Sequence, residues 1–178
     1  MYIWPAKKKK VANALVSGFR QKNIFISDYL IENVTPEELE TILAHEIGHI
    51  KRFHLWIRTF VTLLPLPIFI WIGKLMDYYQ KISQRNIPEI PGMVGILGLF
   101  ILYYAWVFRY ITRIQERQAD GYVLQLNVDP NVYISALLKL AKLNHLTVKI
   151  NKLDEKFQTH PSFARRIRWI EENTGINC

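Results

Sequence analysis

The sequence is short of what holds small secreted proteins together. Its single cysteine, Cys178, allows no disulfide within the chain, and nothing in it demands an oxidising compartment. As the last residue of the sequence that cysteine is not expected to be a C-a-a-X prenylation site. Acidic residues are scarce beside basic ones, 15 Asp+Glu against 23 Lys+Arg, and the net charge of +8 suits either nucleic acid or an anionic membrane surface. The opening "MYIWPAKKKKVANALVSG" has a basic run with no long apolar core behind it, so no cleavable signal peptide is expected. There is no internal repeat and no low-complexity linker. The 178 residues are enough for one modest domain, or a small domain with membrane spans, and too few for two independent domains.

What is there is concentrated apolar sequence. Phe53 to Gly73 is apolar except for His54 and Arg58, and Ile90 to Phe108 carries no charge. Each is roughly 20 residues, close to the length that crosses about 30 Å of hydrocarbon, and both are expected to be transmembrane helices. The competing reading is a pair of buried core helices in a soluble protein. Pro65 and Pro67 should kink the first helix, which membrane spans tolerate. Gly92, Gly95 and Gly98 could let the second lie close against the first. "KLMDYYQKISQRNIPEIP" is short, so the spans form a hairpin with both flanks on one side. Lys51, Arg52, Arg58, Arg109, Arg113 and Arg117 flank the hairpin, against Lys74, Lys81 and Arg85 in its loop. That bias makes the flanks cytoplasmic in a multi-pass protein of the cell membrane. The basic residues then read as a juxtamembrane surface and not as a nucleic-acid patch.

Segments 1–52 and 109–178 must meet in one lobe on that side. "NIFIS", Asn23 to Ser27, reads as a strand, with "NALVS" as its partner across Gly18. In "TPEELETILAHEIGHIKR", Thr35 caps a helix, Pro36 takes its first position and Glu38 completes a capping box. Leu39, Leu43, Ile47 and Ile50 form its apolar stripe, with His45 and His49 on roughly the opposite side. This helix is expected to run on through His54 towards the bilayer. The second span continues as helix through "QERQAD", Asp129 and Pro130 start another helix, and Ser162 caps a last one whose stripe is Phe163, Ile167 and Ile170. The fold class is therefore mainly α with a small sheet, an α+β lobe interrupted by a membrane hairpin.

His45, Glu46 and His49 make H-E-x-x-H on that capped helix. Residues four apart lie one above the other, so both imidazoles can reach one metal while Glu46 works on a water beside it. Zinc keeps an open position in catalytic sites and lowers the pKa of a water there to about 7. Glu46 would take that proton and pass it to a leaving amine. The bland alternative is two surface histidines on an amphipathic helix. A third ligand is needed, and His54, Glu116, Asp120, His145 and His160 are the candidates. His54 is too close to fold back on one continuous helix, and His145 in "LNHLTV" has the setting of an ordinary surface histidine. Glu116 and Asp120 are four apart on one face, so one can ligate while the other fixes a ligating imidazole through its second nitrogen.

"AHEIGH", "ERQAD" and "THPSFARRI" resemble the three motifs of the M48 family of membrane zinc metallopeptidases, and "NALVSGFRQKNIFIS" is similar to that family's strand region. The resemblance spans both segments outside the hairpin, and HtpX-type members carry a hairpin at the same place. It implies a gluzincin-like lobe holding one Zn2+ per chain, with His45, His49 and Glu116 as ligands, Glu46 as base and Asp120 behind the ligands. It also implies that His160 and Arg166 steady the oxyanion, and that Asn13 lies on a strand that lines the cleft and pairs with an extended substrate. Substrates are then proteins or peptides in or near the lipid bilayer, with no nucleic acid involved. HtpX-type members suggest quality control of membrane proteins. Ste24-type members have many more spans, which makes a prenylated substrate a poorer fit. At about 1.5 Å per residue along both ligand helices, the metal is expected roughly 10 Å outside the hydrocarbon, with the cleft opening beside the membrane. "HEIGHIKR" also resembles the M56 signalling proteases, and a metal-binding membrane adaptor without activity is the alternative from another class. The adaptor gives Glu46 no necessary role.

Overall fold

The structure, a computed structural model, describes residues 1–83, 89–148 and 161–176. It divides into two compact units, Met1–Leu55 with Arg113–Cys178, and Trp56–Thr112.

In the first unit the sheet has the order β1-β3-β2, with β1 Tyr2–Trp4, β2 Ala14–Ser17 and β3 Asn23–Ser27. The β2 and β3 strands are the pair expected from "NALVS" and "NIFIS", and they run antiparallel with Leu15 opposite Phe25. The turn between them needs glycine: Gly18 has φ +98°, and a Cβ there would sit 2.0 Å from the Gln21 carbonyl oxygen. The β1 strand, parallel to β3, went unanticipated because three residues carry no readable alternation. Its Tyr2 ring stacks on Phe25 with centroids 5.3 Å apart. Ahead of β2 the backbone of Ala12 is held by a side chain. Asn144 Oδ1 accepts from the Ala12 N–H at 3.0 Å, and its Nδ2 donates to the Ala12 carbonyl at 2.7 Å.

Ser27 caps α1 (Asp28–Asn33) by accepting from the Leu30 N–H, and α2 (Pro36–Lys51) follows. The α2 cap is the one read from sequence. Thr35 accepts from the Glu38 N–H, and Glu38 reaches back to the Thr35 N–H at 2.8 Å. The buried side of α2 differs from the expected stripe. Leu39, Leu43, Ile47 and Ile50 are only half-buried, while Glu38, Thr41, Ile42, Ala44, His45 and Gly48 are buried. Polar residues go inside here because they are hydrogen-bonded there: Thr41 donates to the Glu38 carbonyl, Ser135 donates to the Glu38 carboxylate, and Lys139 pairs with it.

The expectation of one helix running through His54 is corrected. Helix α2 ends at Lys51, Phe53 takes a left-handed conformation with φ 55°, and α3 (His54–Leu63) starts afresh. After α6 (Arg109–Gln125), α7 (Pro130–Leu143) begins at Asp129, whose side chain accepts from the Asn131 N–H. It lies between two cores, giving Ala136 to a cluster with Ala12, Ile26, Leu30 and Ile42, and Tyr133 and Leu137 to one with Ala44, Val123 and Ile170. The last helix, α8 (Phe163–Thr174), is capped by Ser162 and packs Phe163, Ile167 and Ile170 on the second core.

The second unit is helical: most of α3, then α4 (Pro65–Ser83), α5 (Glu89–Tyr103), a π-helical turn at Tyr104–Phe108 and the first residues of α6. Pro65 interrupts the first apolar run, and α4 then continues ten residues past Gly73 into what reads as loop in the sequence. Tyr103 and Tyr104 donate across to the Val61 and Thr62 carbonyls at 2.6 Å each. Gly95 and Gly98 face open space, so close approach does not explain them; only Gly92 of the three is near a neighbour, the Met76 methyl. His54–Ser83 and Gly92–Gln125 are both long and apolar enough to cross a membrane, and only 11% and 0% of their apolar windows are buried. Core helices of a soluble protein would be mostly buried.

Two outcomes follow from this architecture. Burial opposes ionisation of Glu38, but Lys139, the Thr35 N–H and Ser135 outweigh it and hold the carboxyl below its ordinary 4.5. Its contribution is thus present above the unfolded value and fades as pH falls through the lower folded value. Glu38→Gln should cost about 1–3 kcal/mol near neutrality and flatten the acid limb of a denaturation series below pH 4.5. At Phe53, a residue 60% exposed with Lys22 Nζ 5.2 Å from its ring centroid, a glycine relieves the left-handed strain. Phe53→Gly should stay within about 1 kcal/mol of wild type in thermal unfolding, whereas Phe53→Val should cost more than about 1 kcal/mol.

Candidate metal centre

Helix periodicity sets His45 and His49 one turn apart on α2, and α6 brings Glu116 to them. The approach depends on Gly48. A Cβ at that position would lie 3.1 Å from both Ala119 Cα and Tyr122 Cβ, and 3.3 Å from the Ala119 carbonyl. Only hydrogen fits comfortably between the two backbones.

His45 Nε2 and His49 Nε2 lie 3.2 Å apart, His45 Nε2 is 3.4 Å from Glu116 Oε2, and His49 Nε2 is 3.6 Å from Glu116 Oε1. Among the described residues these three form the group of His, Cys, Asp and Glu side chains able to hold a metal ion. Zinc bonds of about 2.1 Å at tetrahedral angles put their donors about 3.4 Å apart, so the spacing fits that ion, and two imidazoles with one carboxylate are a donor set zinc accepts. Electrostatics point the same way. Burial and Arg166 both press His45 towards neutrality, but hydrogen bonds to Asp120 and Glu116 prevail and raise its pKa to about 9. The carboxylates around His45 thus favour a cation at this position.

Behind His45 is a buried polar knot. Asp120 Oδ1 lies 3.0 Å from His45 Nδ1, 2.6 Å from the Tyr133 hydroxyl that donates to it, and 2.6 Å from Arg166 Nη2; Arg166 Nε donates to Oδ2 at 3.0 Å. The Tyr133 hydroxyl is also 3.0 Å from His45 Nδ1 and accepts from Arg166 Nη2 at 2.9 Å. Burial opposes the Asp120 charge, yet Arg166 and His45 overcome it and hold the carboxyl well below the usual carboxylate range. Burial alone would weaken the Arg166 cation, but Asp120 and Tyr133 more than restore it. The same burial, with Asp120 beside it, pushes the Tyr133 phenol well above its ordinary value.

His45, His49, Glu116, Asp120 and Arg166 are thus gathered in one place, with half-buried Glu46 next to His45 on α2. Arg166 stands on the Nδ1 side of His45, 3.3 Å from that nitrogen. Asn13 is exposed just ahead of β2, with its carbonyl accepting from the Ser27 N–H at 2.9 Å and its own N–H donating to Ser27 Oγ at 3.0 Å. His160 lies outside the described residues. One residue, Tyr133, was missed in the sequence, and another, His54, was weighed there and set aside. Tyr133 sits on the buried stripe of α7 with Ala136, Leu137 and Ala141, where a phenol needs a partner, and that was the available signal. His54 was set aside as unable to fold back, but the turn at Phe53 brings its Nδ1 within 2.7 Å of His49 Nδ1.

Comparison with known proteins agrees in kind. The model of peptidase family M48 matches residues 4–174. The chain is 28% identical to a protease HtpX homolog of Dictyoglomus turgidum, over 88% of this chain and 58% of that protein. It is 26% identical to CAAX prenyl protease 1 of Saccharomyces cerevisiae, over 93% of this chain and 42% of that one. The chain therefore spans about half the length of these relatives. The crystal structure of S. mikatae Ste24p superposes with a TM-score of 0.62 at 22% identity, over 90% of this chain and 42% of the other, a likeness of fold.

Removing Arg166 leaves the buried Asp120 carboxylate without its guanidinium partner. Arg166→Met should destabilise the protein by about 3–5 kcal/mol in denaturant titrations, against about 1–2 kcal/mol for Tyr133→Phe. In a double-mutant cycle with Asp120→Asn, most of the Arg166 cost should disappear.

Proposed function

The chain belongs to peptidase family M48, and from that membership we propose that it is an integral-membrane, zinc-dependent endopeptidase acting on membrane or membrane-proximal proteins. The observation that carries the reading is the triangle of His45, His49 and Glu116 donors with Glu46 one residue from the first. Relatives named as HtpX proteases and a CAAX prenyl protease support peptide hydrolysis. The lobe, of gluzincin type, comprises segments 1–52 and 109–178, and spans at about 53–73 and 90–108 form the hairpin; the apolar helices His54–Ser83 and Gly92–Gln125 support this. The excess of Lys and Arg in the flanks supports a lobe on the cytoplasmic side of the cell membrane. Clearance of damaged membrane proteins is the task this arrangement suits.

His45, His49 and Glu116 would hold one Zn2+, which supplies a Lewis acid and makes a neighbouring water acidic near neutral pH. Glu46 takes the proton of the attacking water at its carboxylate as the oxygen adds to the peptide carbonyl carbon. When the C–N bond breaks, Glu46 returns that proton to the leaving amine nitrogen. Asp120 fixes the ring of His45 through Nδ1, and Arg166 keeps Asp120 ionised there. His160 is assigned to the developing oxyanion; the same role expected of Arg166 does not suit its place on the Nδ1 side of His45, where its guanidinium is taken by Asp120 and Tyr133. The β2 strand offers an extended substrate a backbone to pair with, beside the exposed Asn13, whose own N–H and carbonyl are taken by Ser27.

Full-length protein in detergent should bind about one zinc per chain and cleave an unfolded protein substrate. Glu46→Gln should keep the metal and lose about 100-fold or more in cleavage rate. Undiminished cleavage by that variant would sink the proposal, and zinc binding with no cleavage by the wild type would favour the adaptor.

A further inference from the structure

His54 is 1% exposed and has a polar group at each ring nitrogen. Its Nδ1 is 2.7 Å from His49 Nδ1, and its Nε2 is 2.9 Å from Gln118 Oε1. The two rings meet edge to face, 72° apart. Gln118 is at the exposed rim of α6, and Gln115 one turn earlier donates to the His54 carbonyl at 3.4 Å.

The chemistry of these atoms fixes their protons in sequence. An amide oxygen only accepts, so the hydrogen between Gln118 and His54 belongs to His54 Nε2. With His54 neutral it has one N–H, so its Nδ1 carries a lone pair and His49 donates to it from its own Nδ1. The remaining lone pair of His49 then sits on Nε2, the nitrogen 3.2 Å from His45 Nε2 and 3.6 Å from Glu116 Oε1. If the Gln118 amide were turned over, every bond in the series would reverse, and His49 would present an N–H to the centre.

We propose that Gln118 and His54 form a tautomer relay that holds His49 with its proton on Nδ1, leaving Nε2 as a metal ligand. The inference rests on the metal-centre reading above. His54 is a positioning residue and no fourth ligand. It does for His49 what the Asp120 carboxylate does for His45, but being neutral and two-sided it works only while Gln118 orients it. The break at Phe53 has its purpose here, since His54 could not turn back onto His49 along an unbroken helix.

The test uses the full chain in detergent, zinc alone as probe, and chelator competition as readout, so it does not depend on activity. His54→Leu should weaken zinc about 10–100-fold, Gln118→Leu should weaken it less, and His54→Asp should restore affinity to within about threefold of wild type. Adding Gln118→Leu to His54→Asp should change nothing, because a carboxylate accepts from His49 without being oriented. Ring-15N histidine spectra of the zinc-loaded wild type should show His49 protonated at Nδ1 and His54 at Nε2. Zinc bound to a His54 nitrogen, His49 protonated at Nε2, or Gln118→Leu acting equally in both backgrounds would overturn the relay. Should His54→Leu fail to fold, the rim variant Gln118→Leu and the wild-type spectra decide. Zinc bound without any protein cleavage sinks the peptidase reading and leaves the relay standing; cleavage with an unbiased His49 does the reverse.

Discussion

Everything at the centre depends on how closely α2 and α6 approach where Gly48 faces Ala119. Two histidines from one helix are easy to align, since the backbone does it alone. The third donor must come from elsewhere, at a distance set by the thinnest side chain between the two helices. With 3.1 Å from a hypothetical Cβ to the Ala119 Cα, the separation is already at the limit that a glycine permits. Glu116, one turn before Ala119 on α6, then reaches both imidazoles, and Asp120, one turn further on, reaches behind the first.

That closeness puts several ionisable groups in a small dry volume, and the way they are neutralised organises the rest of the lobe. Asp120 is paired with Arg166 from α8 and capped by Tyr133 from α7, so one carboxylate ties three helices to the back of His45. The buried polar groups are bonded to one another, which is the condition under which such groups are tolerated inside. Glu38 serves a comparable role at the other end of α2, where a helix cap, Ser135 and Lys139 meet on one carboxylate.

Much of this was legible in the sequence where local chemistry decides it. The Thr35–Pro36–Glu38 cap, the strand pair across Gly18, the Asp129 and Ser162 starts and the two apolar runs each follow from short-range preferences. The strand β1 and helix α1 were not readable because three and six residues hold too little periodicity. The buried side of α2 was misjudged because hydrophobicity alone picks the inner face, while here Glu38, Thr41 and His45 are inside and hydrogen-bonded. His54 and Tyr133 were harder to read for a related reason. One depends on a single left-handed residue that no pattern announces, and the other on an arginine and an aspartate brought from separate helices.

Asn144 has a consequence for self-association. By taking both the N–H and the carbonyl of Ala12 with one amide, it imitates a neighbouring strand for the space of a single residue. A chain laid alongside β2 can therefore extend no further back than this plug, which leaves a template only a few residues long. A brief pairing is possible there, whereas the long edge-to-edge ladder that builds fibrils is denied its first rung.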